Sequence, residues 1–277
     1  MIKQNFTIPG ASNKHISIDL TSLDLSSDQP LVLFSHGFKG FKDWGTHHLV
    51  ANFFAAKGLS FLKFNFSHNG ITDANSDIFD DLEGFGANTI SKEVFDLEQV
   101  ITCVLSGEQF PKPSKIFLIG HSLGGAISIL TASKNKSVSK IATWASISSY
   151  TGLWNPEQEK TWEEEGVLYF PNLRTGQQMP INFTFLSDLK ENAETLDILL
   201  AARKLSQPWL ILHGNNDLSV PKDHALKMHF EHPNQKLLLI PGADHVFGAA
   251  HPWQEANLPA PLQQACESTI NFFKNNL

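Results

Sequence analysis

Lys115-Ile-Phe-Leu-Ile-Gly-His-Ser-Leu-Gly-Gly125 is a short apolar run that passes directly into a serine fenced by glycines. The run is β-branched and unbroken by charge, so it reads as a buried strand, and the apolar stretch from Leu123 to about Asn135 reads as the helix that follows. Between them the pattern G-x-S-x-G puts Ser122 at the apex of a strand-to-helix turn. So tight a turn strains the backbone at its apex, and side chains two residues to either side would collide. Gly120 and Gly124 remove those side chains. The helix starts beneath the serine, so its free N–H groups point at whatever Ser122 attacks.

Outward from this turn, strand-like and helix-like segments alternate, which implies an α/β fold with a mostly parallel central sheet flanked by helices. Phe6 to Leu20 alternates apolar and polar residues and reads as an edge hairpin. Leu31–Ser35, Leu59–Phe66, Lys140–Ala145, Trp209–His213 and Lys236–Ile240 read as further strands. Helical spacing marks His47–Lys57, Ser91–Leu105 with Ser91 as its cap, a segment from about Lys222, and one from about Leu262. From Tyr150 to about Ser206 the rhythm breaks into a stretch rich in Trp, Glu, Pro and Gly, closed by a helix-like Ala193–Leu205. The expected organisation is a core of residues 1–149 and 207–277, with 150–206 as a cap inserted above the carboxyl edge of the sheet.

A serine hydroxyl is a poor nucleophile at neutral pH and needs a base, a group that orients the base, and donors for a developing oxyanion. The chain supplies candidates at successive strand ends. Asp217 follows the strand Trp-Leu-Ile-Leu-His-Gly, in the loop Asn215-Asn216-Asp217. His245 follows the strand Leu-Leu-Leu-Ile, in Gly242-Ala243-Asp244-His245, with one helix and one strand between it and Asp217. Asp244 reads as a turn residue, since neighbours in sequence rarely point the same way. After Leu31–Ser35 comes His36-Gly37-Phe38, where the glycine lets the backbone approach a reacting carbonyl. The N–H groups of Phe38 and Leu123 are the expected oxyanion donors. His36 and His213 read as turn-stabilising residues. The candidate catalytic set is therefore Ser122, Asp217 and His245.

These four stretches, in this order, resemble the α/β-hydrolase superfamily. The likeness is nearest to compact bacterial serine carboxylesterases, including cinnamoyl- or feruloyl-type esterases, and to the dienelactone-hydrolase-like and serine-aminopeptidase-like branches. It spans nearly the whole chain. It implies a cofactor-free serine hydrolase with an insertion after the sixth strand. Two departures separate it from neighbouring branches: dienelactone hydrolases carry cysteine at the elbow, and haloalkane dehalogenases and epoxide hydrolases carry aspartate, where this chain has Ser122. The Gly-Gly-Gly motif of hormone-sensitive-lipase-like enzymes is also missing, because Phe38 follows Gly37.

Composition bounds the remaining readings. The 277 residues carry 21 Phe against 2 Tyr, which suggests a core or pocket of bare aromatic rings. A net charge of −7 with scattered Lys and Arg leaves no footprint for nucleic acid or an anionic membrane. Two cysteines make no disulfide framework. The amino-terminal stretch lacks the apolar core of a signal peptide, and a cytoplasmic location is expected. His224, His229 and His232 lack partners for a recognisable metal set, and the acidic stretch Asp73, Asp77, Asp80, Asp81, Glu83 reads as a solvated loop. No metal or cofactor is expected; the partner is a small-molecule ester, and the oligomeric state is open. Trp154, Trp162 and Phe170 of the cap are candidate substrate contacts, with Tyr169, Phe183 and Phe185 beside them, and the plainer reading for most of these rings is the cap's own core. A serine peptidase, with Glu163–Glu165 as an anchor for a substrate amine, and a non-catalytic ligand-binding relative are the alternatives to an esterase.

Overall fold

The computed structural model describes residues 1–25, 29–72, 78–232 and 235–275. In chain order these form β1 (Ile2–Pro9), β2 (His15–Ser22), β3 (Leu31–Ser35), α1 (His47–Ala56), β4 (Ser60–Phe64), α2 (Leu82–Gly86), α3 (Ile90–Ser106), β5 (Ile116–His121), α4 (Leu123–Ala132) and β6 (Val138–Trp144). After β6 come α5 (Pro156–Glu165), β7 (Val167–Pro171), β8 (Gln178–Asn182), α6 (Thr184–Glu191) and α7 (Ile198–Lys204). The chain ends with β9 (Trp209–Gly214), α8 (Asp223–Glu231), β10 (Lys236–Ile240) and α9 (Ala260–Lys274). Eight strands form one sheet in the order β1-β2-β4-β3-β5-β6-β9-β10. The hairpin β1–β2 joins β4 antiparallel and every other pairing is parallel.

Parallel strands are covered on both faces, so their sequences are apolar throughout rather than alternating. All five residues of β3 and of β4 are buried. One face packs under α3, α4 and α7, with Ile127, Leu130, Leu97, Ile101 and Ile198 in its core. The other packs under α1 and α9, where Phe54, Phe61 and Phe273 meet and Phe117 stacks on Phe273 at 4.6 Å between ring centroids. Every residue of α4 is buried, which is why its sequence has no polar stripe. Chain order reverses between β3 and β5: the chain leaves β3 for β4 on one side and returns to β5 on the other. A crevice opens at such a point beyond the carboxyl ends of the strands, and ligands bind there.

Two local expectations are corrected. The cap of α3 is Thr89, extended at φ −144° and accepting the Lys92 N–H at 3.2 Å. Ser91 lies one residue inside the helix, where its N–H donates to Asp188 at 2.9 Å. The helix expected from Ala193 begins only at Ile198, because Asp197 caps it by accepting the Leu200 N–H. Residues 150–206 leave the sheet after β6; within them β7 and β8 pair only with each other, and α7 returns to pack against α4. Of the acidic stretch, Asp73 and Asp77 lie outside the described residues, Asp80 accepts from Thr72, and Asp81 caps α2 and pairs with Lys14. Among the described residues no helix is long and apolar enough to cross a membrane.

Candidate active site

Ser122 sits where β5 turns into α4, at φ 55° and ψ −121°, a conformation few non-glycine residues adopt. Space explains the flanking glycines. A Cβ on Gly120 would stand 2.2 Å from the Gly124 carbonyl oxygen, and one on Gly124 would stand 2.3 Å from that of Ser35. The start of α4 is therefore pressed against the end of β3. Gly37 is equally close, since its Cβ would lie 2.9 Å from the Cβ of Ser122. Phe38 and Leu123 thus flank Ser122 from β3 and α4, and both line a cavity that contains it.

Asp217 lies in the turn after β9 and is engaged from two sides. Oδ1 accepts the N–H groups of Ser219 at 2.9 Å and Val220 at 2.8 Å. Oδ2 accepts His245 Nδ1 at 2.8 Å. Burial pushes the Asp217 carboxyl up, but the bonds from His213, His245 and Val220 outweigh it and hold it well below the ordinary carboxylate range. His245, in the loop after β10, is held by its backbone: His121 Nε2 donates to its carbonyl at 2.9 Å. With Nδ1–H directed at Asp217, Nε2 remains the acceptor, on a ring that shares two cavities with Ser122. The loops after β9 and β10 are tied together by Asn216 N–H to Ala243 and by Gly242 N–H to Asn215 Oδ1. Gly214 lets them touch, for its Cβ would lie 2.3 Å from the Ala243 oxygen.

The histidines and acid read as structural have structural partners. His36 donates from Nδ1 to the Gly37 carbonyl at 2.9 Å and accepts the Phe66 N–H through Nε2, and burial lowers its pKa to about 4. Asp244 accepts the N–H groups of Val246 and Gly248. His224 accepts the Ser148 N–H and His232 donates to the Leu205 carbonyl, so these two face different partners. No group of three or more His, Cys, Asp or Glu side chains among the described residues is placed to hold a metal ion.

A cavity of about 390 Å³ adjoins Ser122 and His245 and is lined by Trp154, Trp162 and Phe170 together with Phe185, Ile147 and Leu153. Trp162 is also core: it is 1% exposed, donates from Nε1 to the Ile181 carbonyl at 2.7 Å, and stacks on Phe185 at 6.0 Å. Tyr169 is exposed and Phe183 does not line the cavity. A second cavity of about 150 Å³ also borders Ser122 and is lined by Trp44, His47, His121 and Trp144. Desolvation lowers His47 and His121 to about 3, so these rings are neutral. Two further residues border this arrangement, one read from the sequence only as a turn histidine and one not singled out there. His213 is fully buried with Nε2 3.3 Å from Asp217 Oδ2, and its only sequence signal is its position four residues before that acid at a strand end. Lys39 lines both cavities, directly after the Gly37-Phe38 turn.

A mostly parallel sheet with a serine at a strand-to-helix turn beside its reversal point gives this chain the α/β-hydrolase fold. The family model described as putative esterase matches residues 97–255, more than half of the chain, and the chain belongs to that family. No curated protein matches the sequence. Among solved structures it is similar to Est1E from Butyrivibrio proteoclasticus, also solved with ferulic acid bound, at 18% identity and a TM-score of 0.69 over 98% of both chains. It is similar to a putative hydrolase from Agrobacterium vitis S4 at 17% identity and 0.74, over 99% of this chain and 100% of that one. A puromycin-hydrolyzing peptidase of Mycobacterium tuberculosis shares the fold at 15% identity and 0.68, over 99% of this chain and 39% of that one.

Proposed function

We propose that the chain is a serine esterase cleaving carboxylic esters of small to medium, apolar or aryl acyl groups through an acyl-enzyme intermediate. The observation that carries this is the 2.8 Å contact between His245 and Asp217 beside a serine held at positive φ in the same cavity. In this reading His245 Nε2 takes the Ser122 proton as Oγ attacks the ester carbonyl. The N–H groups of Phe38 and Leu123 hold the oxyanion, and His245 then protonates the leaving alcohol. Water deprotonated by His245 releases the acid, while Asp217 keeps the imidazole in the required tautomer and stabilises its charged form. The segment 150–206 acts as the cap, with Trp154, Trp162 and Phe170 in contact with the acyl group.

Ester rather than peptide substrate is favoured by the cavity lining. A peptidase acting at an amino terminus needs a carboxylate near the substrate amine, and none of the described residues lining the 390 Å³ cavity is Asp or Glu. Glu163, Glu164 and Glu165 stand exposed on α5, with Glu163 paired to Lys190 at 2.7 Å. The test is a panel of p-nitrophenyl esters and amino-acid anilides, alongside fluorophosphonate labelling of the wild type and Ser122→Ala. Ester turnover and labelling that both vanish in Ser122→Ala are expected. Labelling that persists, or anilides cleaved in preference to esters, would overturn the reading.

A further inference from the structure

The turn His36-Gly37-Phe38 runs into Lys39, whose backbone has φ 57°, a conformation in which glycine would be the relaxed choice. A long cationic side chain at such a position is an outlier that points to use of that side chain. Its Nζ donates to the carbonyl of Pro171, the last residue of β7, at 3.1 Å and stands 5.6 Å from the centre of the Phe38 ring. The Phe38 ring in turn packs edge-on to Phe170 at 6.1 Å. The ammonium is thus stationed at the junction of the oxyanion turn and the aromatic segment, with neutral partners on both sides.

Two observations indicate that an anion is the missing partner. Lys39 is half-buried and desolvation lowers its pKa, yet no carboxylate pairs with it among the described residues. The two fully buried lysines, Lys42 and Lys63, both bind Asp19, whereas the part-buried Lys140 donates to backbone carbonyls at the end of α9. Moreover, among the described residues lining the 390 Å³ cavity Lys39 is the single Lys or Arg, in a wall otherwise built mainly from Trp, Phe, Leu and Ile. A substrate filling that cavity meets one fixed positive charge.

We propose that Lys39 receives a carboxylate on the acyl part of the substrate, so that the site takes esters of dicarboxylic acids in which one carboxyl is esterified and the other is free. This rests on the esterase reading and narrows its substrate class. The ester carbonyl lies at Ser122 between the Phe38 and Leu123 N–H groups, the acyl chain enters the aromatic cavity, and the free carboxylate takes the Lys39 ammonium in a charge-assisted bond. The bond formed and broken at the ester is unchanged, and Lys39 acts as a specificity residue, not as an acid or base.

The test compares mono-p-nitrophenyl esters of succinate, glutarate and adipate with p-nitrophenyl butanoate, pentanoate and hexanoate, in the wild type, Lys39→Met and Lys39→Arg. The readout is the ratio of kcat/KM for each acidic ester to that of its neutral counterpart, which cancels any general loss. For at least one chain length that ratio should fall about tenfold in Lys39→Met, the lower end for a charge-assisted hydrogen bond at a half-exposed site. Lys39→Arg should keep it within about threefold. An unchanged ratio in Lys39→Met overturns the proposal, as does turnover of neutral esters with no turnover of any acidic one. Both of these leave the esterase reading standing. Turnover of neither set, with Ser122 unlabelled by a fluorophosphonate, overturns that reading and this proposal with it.

Discussion

Asp217→Asn removes one charge and keeps the shape of the side chain, and the hydrogen bonds around it set the size of the loss. One carboxylate oxygen serves the amides of Ser219 and Val220, the other serves His245 Nδ1 at 2.8 Å. The single oxygen of asparagine can serve only one of these. Left on the amides, it turns the NH₂ toward His245, so Nδ1 becomes the acceptor, the proton sits on Nε2, and the ring cannot take the Ser122 proton. The wrong tautomer costs about 10⁴ in kcat. Flipped, the asparagine restores the tautomer but sets its NH₂ against two backbone N–H groups, at about 2 kcal/mol for each donor left unsatisfied. A penalty of about 4 kcal/mol leaves the flipped form at about one part in a thousand. His213 Nε2, 3.3 Å from Oδ2, favours the flipped form by donating to an oxygen there, but it keeps the Val220 carbonyl at 2.8 Å as its nearer acceptor in either form. The expected loss in kcat/KM on p-nitrophenyl butyrate is therefore about 10³- to 10⁴-fold, with thermal unfolding near that of the wild type because the turn survives. Retention of more than a tenth of the activity would refute the assignment of Asp217 as the orienting acid.

Three further perturbations follow from the same contacts. Burial raises the Glu93 carboxyl to about 8, partly offset by the bond from Asn88 Nδ2 at 2.7 Å. The folded chain thus holds a proton there that the unfolded chain releases near 4.5, so stability should fall as pH rises from about 4.5 to 8, by up to about 1.4 kcal/mol per pH unit. Glu93→Gln should flatten that slope in thermal melts at pH 5 and pH 8, and an equal slope in both proteins would contradict the burial argument. Gly124→Ala places a Cβ 2.3 Å and 2.4 Å from the carbonyl oxygens of Ser35 and His36, and should lower kcat/KM by more than about a hundredfold by lifting the elbow off β3; wild-type activity would show that the contact is soft. Trp162→Ala removes a buried ring at about 3–5 kcal/mol and widens the cavity beside Ser122. The preferred acyl length in a p-nitrophenyl ester series should move upward, and an unmoved optimum would exclude this cavity as the acyl site.

The parallel strands were legible as short apolar runs, two of them to the residue and others, such as β4 and β6, to within two residues. Leu31–Ser35 and Lys236–Ile240 are strands with the expected bounds, since a short apolar run between breakers admits little else. Ser122, Asp217 and His245 could be placed because each follows such a strand, and the sheet carries loop residues after its strands to one edge. Side-chain partnerships were not readable. Nothing in Ser-Phe-Leu-Lys-Phe announces that Lys63 is buried against Asp19 and Asp43, which stand far from it in sequence. His213 looked like one more turn histidine until the fold brought its Nε2 to Asp217. The rings of residues 150–206 posed a choice between core and cavity wall, and Trp162 is both: it is buried against Phe185 and still borders the space beside Ser122.

That double use separates what sets the reaction from what selects the substrate. The proposed catalytic groups follow β3, β5, β9 and β10, whose positions are coupled through one continuous ladder of hydrogen bonds. A shift in any one of them would be transmitted to the others, so their geometry tolerates little variation. The groups proposed to face the acyl chain stand on α5, β7, β8 and α6 and in the loop before α5, where β7 and β8 pair only with each other and not with the main sheet. Changes there can alter the shape and charge of the cavity without moving Ser122 relative to His245. Lys39 is the exception, because it follows the Gly37-Phe38 turn yet reaches the end of β7. Its charge lies where the invariant geometry of the turn meets the adjustable wall. A substitution at Lys39 should therefore change which ester is chosen, and one at Asp217 whether any is cleaved at all.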